Sequence, residues 1–422
     1  MIFKAFIDKG LGHVSFIFGD DESKEVVIVD PRRDIDEYEK YIKENKLNVK
    51  YVLNTHTHAD YIGGHLEIVD RYKKSKNIFH KDVPSKFDFI KVKEGDNFSL
   101  GDTLSFRIME TPGHTPFCIS AIINEDGENK YIFIGDILFV GDIARPDLLG
   151  DENIDTLINL SYKSAKRLYD MDNSLMIFTS HIKGSFCGKD LKNQYFSTVG
   201  IEKKTNYSFG LSQKSKKKYV KNLKTQNIET PKFFKEMAGT NINGPKLIKD
   251  LPRIELIAKD DIRSISLDDY IIDIRHPNHF KSGFIQNSIN IYEDSNVSLI
   301  AGSLLDSSKN IYLVGDNNSD FEEVIKKLHR VGLDNIIGIL DCDVNSLDGL
   351  IKFNHTNKKT KIINLDRTKD IKGSMNLEIS DILNTSFKNN ECYGVNCKNG
   401  FKGMSVSSYL LKEGYCIAQF TK

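Results

Sequence analysis

The chain has no excess charge of either sign: 59 lysines and arginines balance 59 aspartates and glutamates. That absence removes the bulk attraction expected of a nucleic-acid binder or a membrane-surface protein. Also missing is any run of about 18 apolar residues, the length a membrane-spanning helix needs. The N-terminus, Met1-Ile2-Phe3-Lys4-Ala5-Phe6-Ile7-Asp8, has charges where a secretory signal needs an apolar core. Cysteine is sparse, with six residues scattered at 118, 187, 342, 392, 397 and 416. So thin a distribution in a long chain excludes a disulfide framework and leads us to expect reduced thiols in a cytoplasmic setting. What is present is ample apolar material, 39% of 422 residues, enough for two or three domains with sizeable cores.

The most informative stretch is Asn54-Thr55-His56-Thr57-His58-Ala59-Asp60-Tyr61-Ile62-Gly63-Gly64. A strand-like Val49–Leu53 precedes it, and Ile62–Lys74 reads as a helix. Two imidazoles and a carboxylate at a strand-to-helix turn can converge on one point, which is metal-ligand spacing. Read alone, the triplet can also be a polar loop that happens to contain histidines, the lesser of the two readings. Upstream, residues 2–7, 13–19 and 25–30 read as strands, the last closing on the turn signal Asp30-Pro31. Ile35, Tyr38, Tyr41 and Ile42 recur at helical spacing.

Three later segments carry related chemistry. Glu110-Thr111-Pro112-Gly113-His114-Thr115-Pro116 follows a strand-like Leu104–Ile108, and its tight turn aims His114 off a strand end. In Tyr131–Phe139, Asp136 interrupts an apolar strand, where a buried carboxylate is costly unless paired or metal-bound. Met176–His181 reads as a strand ending in histidine, followed by Gly184-Ser185-Phe186-Cys187-Gly188.

Taken together, these four strand ends resemble the metallo-β-lactamase superfamily, which implies an αββα sandwich with its metals at one edge, over residues 1–250. Two-metal hydrolases of that family usually carry histidine after the His-x-His-x-Asp motif. Here Tyr61 stands instead, and a phenol of pKa about 10 is a poorer ligand. The segment Gly141-Asp142-Ile143-Ala144-Arg145-Pro146-Asp147-Leu148 resembles a loop of the persulfide dioxygenase branch, as does Ser197–Asn206. The resemblance implies one Fe(II) held by His56, His114 and Asp136, a two-histidine, one-carboxylate set suited to non-haem iron. His58, Asp60, Tyr61, His181 and Arg145 then support these ligands or position substrate. Arg145 either anchors an anionic thiol or braces its own loop. Zinc held by the larger set is the alternative.

The Lys-rich run Ser212–Tyr219 reads as a solvated helix face or an anion-attracting patch. Asn241–Pro245 and Pro252 carry linker chemistry and place a boundary near residue 250. Beyond it, Tyr270–Ile285 resembles the entry motif of rhodanese domains. The strand at 310–314, which in that family leads to the catalytic cysteine, runs instead into Gly315-Asp316-Asn317-Asn318-Ser319. Residues 255–356 are therefore expected to form an inactive rhodanese-like domain. Residues 360–422 form a short second unit. There Cys397-Lys398-Asn399-Gly400-Phe401-Lys402, between a strand and a helix, resembles the active loop. Backbone N–H groups at a helix start can hold an anionic persulfide on Cys397, and Lys402 supplies charge where the family usually has arginine. Cys397 can also be read as a small buried hydrophobe.

The whole chain is expected to be α/β and multidomain: the αββα sandwich followed by two rhodanese-like units, the second truncated. The resemblance implies an iron-dependent persulfide dioxygenase. A low-molecular-weight thiol persulfide and oxygen would give sulfite and thiol. Cys397 would transfer sulfane sulfur to make or use thiosulfate. Alternatives are a zinc thioester hydrolase similar to glyoxalase II, and a non-enzymatic sulfur-relay scaffold. Family members are commonly oligomeric, so a homo-oligomer is expected, with neither nucleic-acid nor membrane partners.

Overall fold

The structure, a computed structural model, describes residues 1–147, 153–226, 230–352, 360–366, 371–398 and 400–421. Leu148 and Asn399 of the expected motifs, and the boundary at residue 356, lie outside the described residues. The chain divides into two compact units: residues 1–230 with 234–248, and residues 231–233 with 249–422. No helix among the described residues is long and apolar enough to cross a membrane.

The first unit contains two six-stranded sheets. One runs in the order β1 (Ile2–Asp8), β2 (His13–Gly19), β3 (Glu25–Val29), β4 (Asn48–Leu53), β5 (Lys76–His80), β6 (Ile90–Val92). Helices α1 (Asp36–Glu44) and α2 (His65–Arg71) follow β3 and β4. The other sheet is built from β7 (Asn97–Leu100), β8 (Leu104–Glu110), β9 (Ile119–Glu125) and β10 (Glu128–Gly135). A small hairpin, β11 (Leu138–Phe139) and β12 (Asp142–Ile143), and helix α3 (Ile154–Tyr169) lead to β13 (Met176–Thr179) and β14 (Phe196–Thr198). Its strand order is β14-β13-β10-β9-β8-β7. Helices α4 (Val199–Thr205), α5 (Tyr207–Lys214), α6 (Lys216–Lys224) and α7 (Phe233–Asn243) complete the sequence.

Alternation along each strand explains the layering. Val27 and Val29 join Phe16, Phe18, Phe106, Ile108 and Phe133 in a core between the sheets. Val26 and Ile28, one residue out of phase, pack outward against Tyr38 and Ile42 of α1 and Ile68 of α2. On the second sheet Ile132 and Ile134 meet Ile158 and Leu168 of α3, Phe209 of α5 and Tyr219 of α6. Both faces of both sheets are thus covered, which is why the strands read as nearly unbroken apolar runs. The result is an αββα sandwich. The lysines of α6 lie on its exposed side while Tyr219 and Leu223 face inward, so the Lys-rich run is a solvated helix face.

The second unit holds two parallel sheets. The first has the order β15-β19-β18-β16-β17, built from β15 (Glu255–Ile257), β16 (Tyr270–Asp273), β17 (Ser288–Asn290), β18 (Ile311–Val314) and β19 (Ile336–Leu340). Helices α8 (Pro277–Ser282), α9 (Val297–Leu304) and α10 (Phe321–His329) alternate with its strands. The second is four-stranded, ordered β21-β20-β22-β23. Its strands are β20 (Thr360–Asn364), β21 (Met375–Asn376), β22 (Cys392–Asn396) and β23 (Cys416–Thr421), with α11 (Phe401–Lys412) between the last two. The short second unit shares its helix with its neighbour. Ser408 Oγ of α11 accepts from the Asn290 amide at 2.9 Å, and Met404 packs on Phe280 and Phe284.

Three expectations are corrected. Cys392 and Cys416 are joined in a disulfide, so the thiols are not all reduced. They lie opposite each other on parallel strands β22 and β23, a proximity that 24 residues of separation conceal. Asp136 does not interrupt a strand: β10 ends at Gly135, and Asp136 occupies the turn before β11. Helix α2 starts at His65 rather than Ile62, because Gly63 pairs with Arg32 in an isolated bridge and the Gly64 amide donates to Pro31 O.

Candidate metal centre

The side chains at 56, 58, 60, 114, 136 and 181 gather in one buried chamber at the strand ends. His56, His114 and Asp136 each offer one donor atom, all within 4.8 Å of one another. His58, Asp60 and His181 form a second such trio. Asp136 Oδ2 lies 3.8 Å from His56 Nε2, 3.6 Å from His114 Nε2 and 3.3 Å from His181 Nε2. Ligands around a shared tetrahedral ion with bonds near 2.0–2.1 Å are separated by roughly 3.3–3.5 Å, so these spacings are close to those of a loaded centre.

Second partners set the imidazole tautomers. Thr55 Oγ1 donates its one proton to Asp30 Oδ2 at 2.7 Å, so towards His56 Nδ1, 3.0 Å away, it can only accept. His114 Nδ1 donates to the Arg145 carbonyl at 2.8 Å, and His181 Nδ1 lies 3.3 Å from the Gly12 carbonyl. In all three rings the proton is therefore on Nδ1, and Nε2 presents its lone pair to the chamber. Gly135 makes room for this arrangement. Its φ is +56°, and a Cβ there would lie 2.6 Å from Thr55 Oγ1.

Buried polar atoms without a hydrogen-bond partner mark the same place: both carboxylate oxygens of Asp136, Asp60 Oδ2, His181 Nε2 and both ring nitrogens of His58. Burial pushes the Asp60 carboxyl up to about 7 and the Asp136 carboxyl well above the carboxylate range, with Asp60 adding repulsion. Loss of water likewise lowers His114 to about 4 and His181 to about 3. A divalent cation reverses the cost for the carboxylates and takes the imidazoles in their neutral form. The donor set thus fits a metal.

Tyr61 is fully buried, and its hydroxyl donates to the Asp30 carbonyl at 3.1 Å. Burial and nearby carboxylates push its phenol well above the ordinary value, so it stays neutral. Its ring lies against His13 and His58, with centroids 4.2 and 4.5 Å away. Arg145 is buried. Its fork donates to both oxygens of Asp147 and also reaches Phe186 O and Thr230 Oγ1. Of its two expected roles the geometry matches the brace, and its carbonyl orients His114.

Several residues escaped the reading of the sequence. Asp30, at φ +49°, accepts from the Thr55 amide and hydroxyl and from Ser180 Oγ, and lies 3.1 Å from His58 Nε2. The sequence offered only the Asp30-Pro31 turn signal at the end of β3, which does not point to the chamber. His13, inside an apolar strand, lies beside Tyr61, His58 and His181. Asn241 of α7 donates to the carbonyls of His58 and Tyr61 and accepts from the Gly63 amide, tying the motif from far along the chain. Cys187 shares a third trio with Asp136 and His181.

In the second unit Cys397 follows β22 and is buried. Gly400, at φ +79°, opens α11, and Lys402 occupies the helix's first turn. The corresponding turn after β18 is closed on itself. Asp316 Oδ1 accepts from the Asn318 amide, and the Asp316 amide donates to Ser319 Oγ.

Residues 8–181 match the metallo-beta-lactamase superfamily model, and residues 255–348 match the rhodanese-like domain model. The chain is 31% identical over 163 residues to a hydroxyacylglutathione hydrolase of Prochlorococcus marinus (strain MIT 9301), covering 38% of this chain and 61% of that protein. It thus spans about three fifths of that relative's length. It is 26% identical over 214 residues to the mitochondrial persulfide dioxygenase ETHE1 of Mus musculus, covering 50% of this chain and 76% of that one. The crystal structure of a metallo-beta-lactamase from Staphylococcus aureus subsp. aureus COL superposes with a TM-score of 0.69 at 28% identity, over 80% of this chain and 98% of that one. The chain therefore joins a metallo-beta-lactamase superfamily domain to a rhodanese-like domain.

Proposed function

We propose that the first domain, residues 1–250, is an iron-dependent persulfide dioxygenase, and that Cys397 in the short unit at 360–422 transfers sulfane sulfur. The observation that carries this reading is the trio His56, His114 and Asp136, with Tyr61 hydrogen-bonded away from the chamber at the position where a two-metal hydrolase has another imidazole. A ferrous ion held by that trio would supply redox chemistry towards oxygen and leave open positions for substrate.

The chain's own residues do the rest. Thr55 and the Arg145 carbonyl hold two imidazoles at fixed tautomers. Asp136 supplies negative charge, and His58, Asp60 and His181 line the chamber around it. Overall, a thiol persulfide, one oxygen molecule and one water give thiol and sulfite. At Cys397 the S–S bond of a cysteine persulfide breaks, a new S–S bond to sulfite makes thiosulfate, and the electron pair of the broken bond returns to Cys397 as thiolate. Backbone N–H groups at the start of α11 and the charge of Lys402 favour that anion. The domain at 255–356 serves as an inactive rhodanese-like scaffold, since Asp316 fills its loop.

Metal analysis of anaerobically purified protein, with oxygen uptake on a low-molecular-weight persulfide, tests this. Iron at one per chain with persulfide-dependent uptake is expected. Zinc with no uptake sinks it. The second trio, His58, Asp60 and His181, favours a zinc thioester hydrolase as the other reading. That enzyme would hold two ions and release thiol from a thioester without oxygen.

A further inference from the structure

The disulfide of the short unit has no part in the proposed chemistry. Cys392 opens β22, Cys416 opens β23, and the two are opposite each other across that parallel pair. The other four cysteines are thiols. The bond spans a sequence separation of 24 and so closes a ring of chain that contains Cys397, Gly400 and the whole of α11. It also pins an edge: β23 is the last strand of its sheet and, among the described residues, pairs only with β22. At the other end of the pair Thr421 lies opposite Asn396, the residue before Cys397. Between the two ends the register shifts at Tyr393 and Gly394, so the ladder is irregular where it would have to hold unaided. Cys392 is buried, whereas Cys416 is half-buried and within reach of a small molecule.

We propose that Cys392 and Cys416 are a redox switch, closed by persulfide and opened by thiol, that orders the Cys397 loop. Its link to sulfur transfer rests on the reading of Cys397 as the transferring residue. The oxidant is the persulfide itself. The Cys416 thiolate attacks the outer sulfur of R–S–SH, the S–S bond breaks, and the thiolate RS⁻ leaves. The Cys392 thiolate then attacks the Cys416 sulfur, hydrosulfide leaves, and the disulfide forms. The two thiol protons go to the departing RS⁻ and HS⁻. One persulfide and two cysteine thiols thus give one disulfide, one thiol and one hydrogen sulfide: the sulfane sulfur is reduced and the two cysteine sulfurs are oxidised. In the other direction two small thiols reduce the bond and leave as their own disulfide. Closure removes chain freedom from the segment that carries the loop. Opening leaves the edge strand on an irregular ladder, from which it frays.

The test uses full-length protein, reduced and desalted without oxygen, then mixed with glutathione persulfide. Alkylation and peptide mass analysis should find Cys392 and Cys416 linked, with hydrogen sulfide released. Hydrogen exchange at the amides of Gly394–Asn396 and Cys397 should be faster in the reduced protein than in the oxidised one. Cys416→Ser should exchange like the reduced protein and ignore persulfide. With sulfite added, thiosulfate formation by the reduced protein should show a lag that shortens as persulfide rises, and the oxidised protein should show none. Both cysteines alkylated after persulfide, equal exchange in the two states, or equal initial rates overturn the switch. No thiosulfate from either state, with closure and protection intact, sinks the transfer role of Cys397 and leaves the switch standing.

Discussion

Two trios of ligand-type side chains share one chamber, and they differ in what holds their outer atoms. In the His56, His114 and Asp136 set, both imidazoles have Nδ1 tied, to a hydroxyl and to a carbonyl. In the His58, Asp60 and His181 set only His181 has such a partner. His58 has neither nitrogen in a hydrogen bond, and its Nε2 lies beside Asp30 instead. Similar spacing therefore does not make two equivalent sites. Partners outside the ligand sphere decide which imidazoles arrive with the right tautomer and orientation.

The contrast can be broken most directly by paired truncations. His114→Ala should empty the proposed iron centre and cut oxygen uptake by more than the roughly 10–100-fold that loss of an outer partner costs. His58→Ala should keep one iron per chain. Equal iron loss in the two variants would erase the distinction. Cys397→Ser should abolish thiosulfate formation while leaving oxygen uptake on free persulfide unchanged; a parallel fall in both would tie the thiol loop to the buried centre. Thr55→Val removes the acceptor for His56 and should weaken iron binding by about 10–100-fold, read by competition with a chelator. Tyr61→Phe removes one buried hydrogen bond and should cost about 0.5–1.5 kcal/mol in denaturant unfolding without changing the metal count.

A further test, of about the same size, separates burial from ligation. His65 is buried against Phe79 and Phe87, and burial alone lowers it to about 3. Between that value and its unfolded pKa near 6.5 the unfolded chain binds the extra proton, so His65 reduces stability as pH falls through this window. His65→Phe should flatten that slope by up to about 1.4 kcal/mol per pH unit, seen in unfolding curves between pH 6.5 and 5. An unchanged slope would mean that the ring accepts its proton without leaving the core.

Much of the sandwich was legible because each strand carries its own signal. Val26 to Val29 is apolar on both faces, and a strand of that kind must be covered on both sides. The candidate ligands were legible because histidine and aspartate at strand ends are costly without a use. Asp30, His13 and Asn241 were not, because each looks ordinary among its chain neighbours and acquires its partners from elements far away. The Asp136 turn was misread for the same reason: apolar residues on both sides of it belong to two strands, not one.

Local chemistry sufficed to set element types, the Tyr61 departure and the presence of a cysteine loop before a helix, since these depend on side-chain type and short spacing. Only the tertiary structure decided which nitrogen of His56, His114 and His181 faces inward, where Arg145 spends its donors, that Cys187 stands beside Asp136, and that Cys392 meets Cys416. Those outcomes depend on which distant backbone groups come within hydrogen-bonding reach, and no short spacing in the chain encodes that.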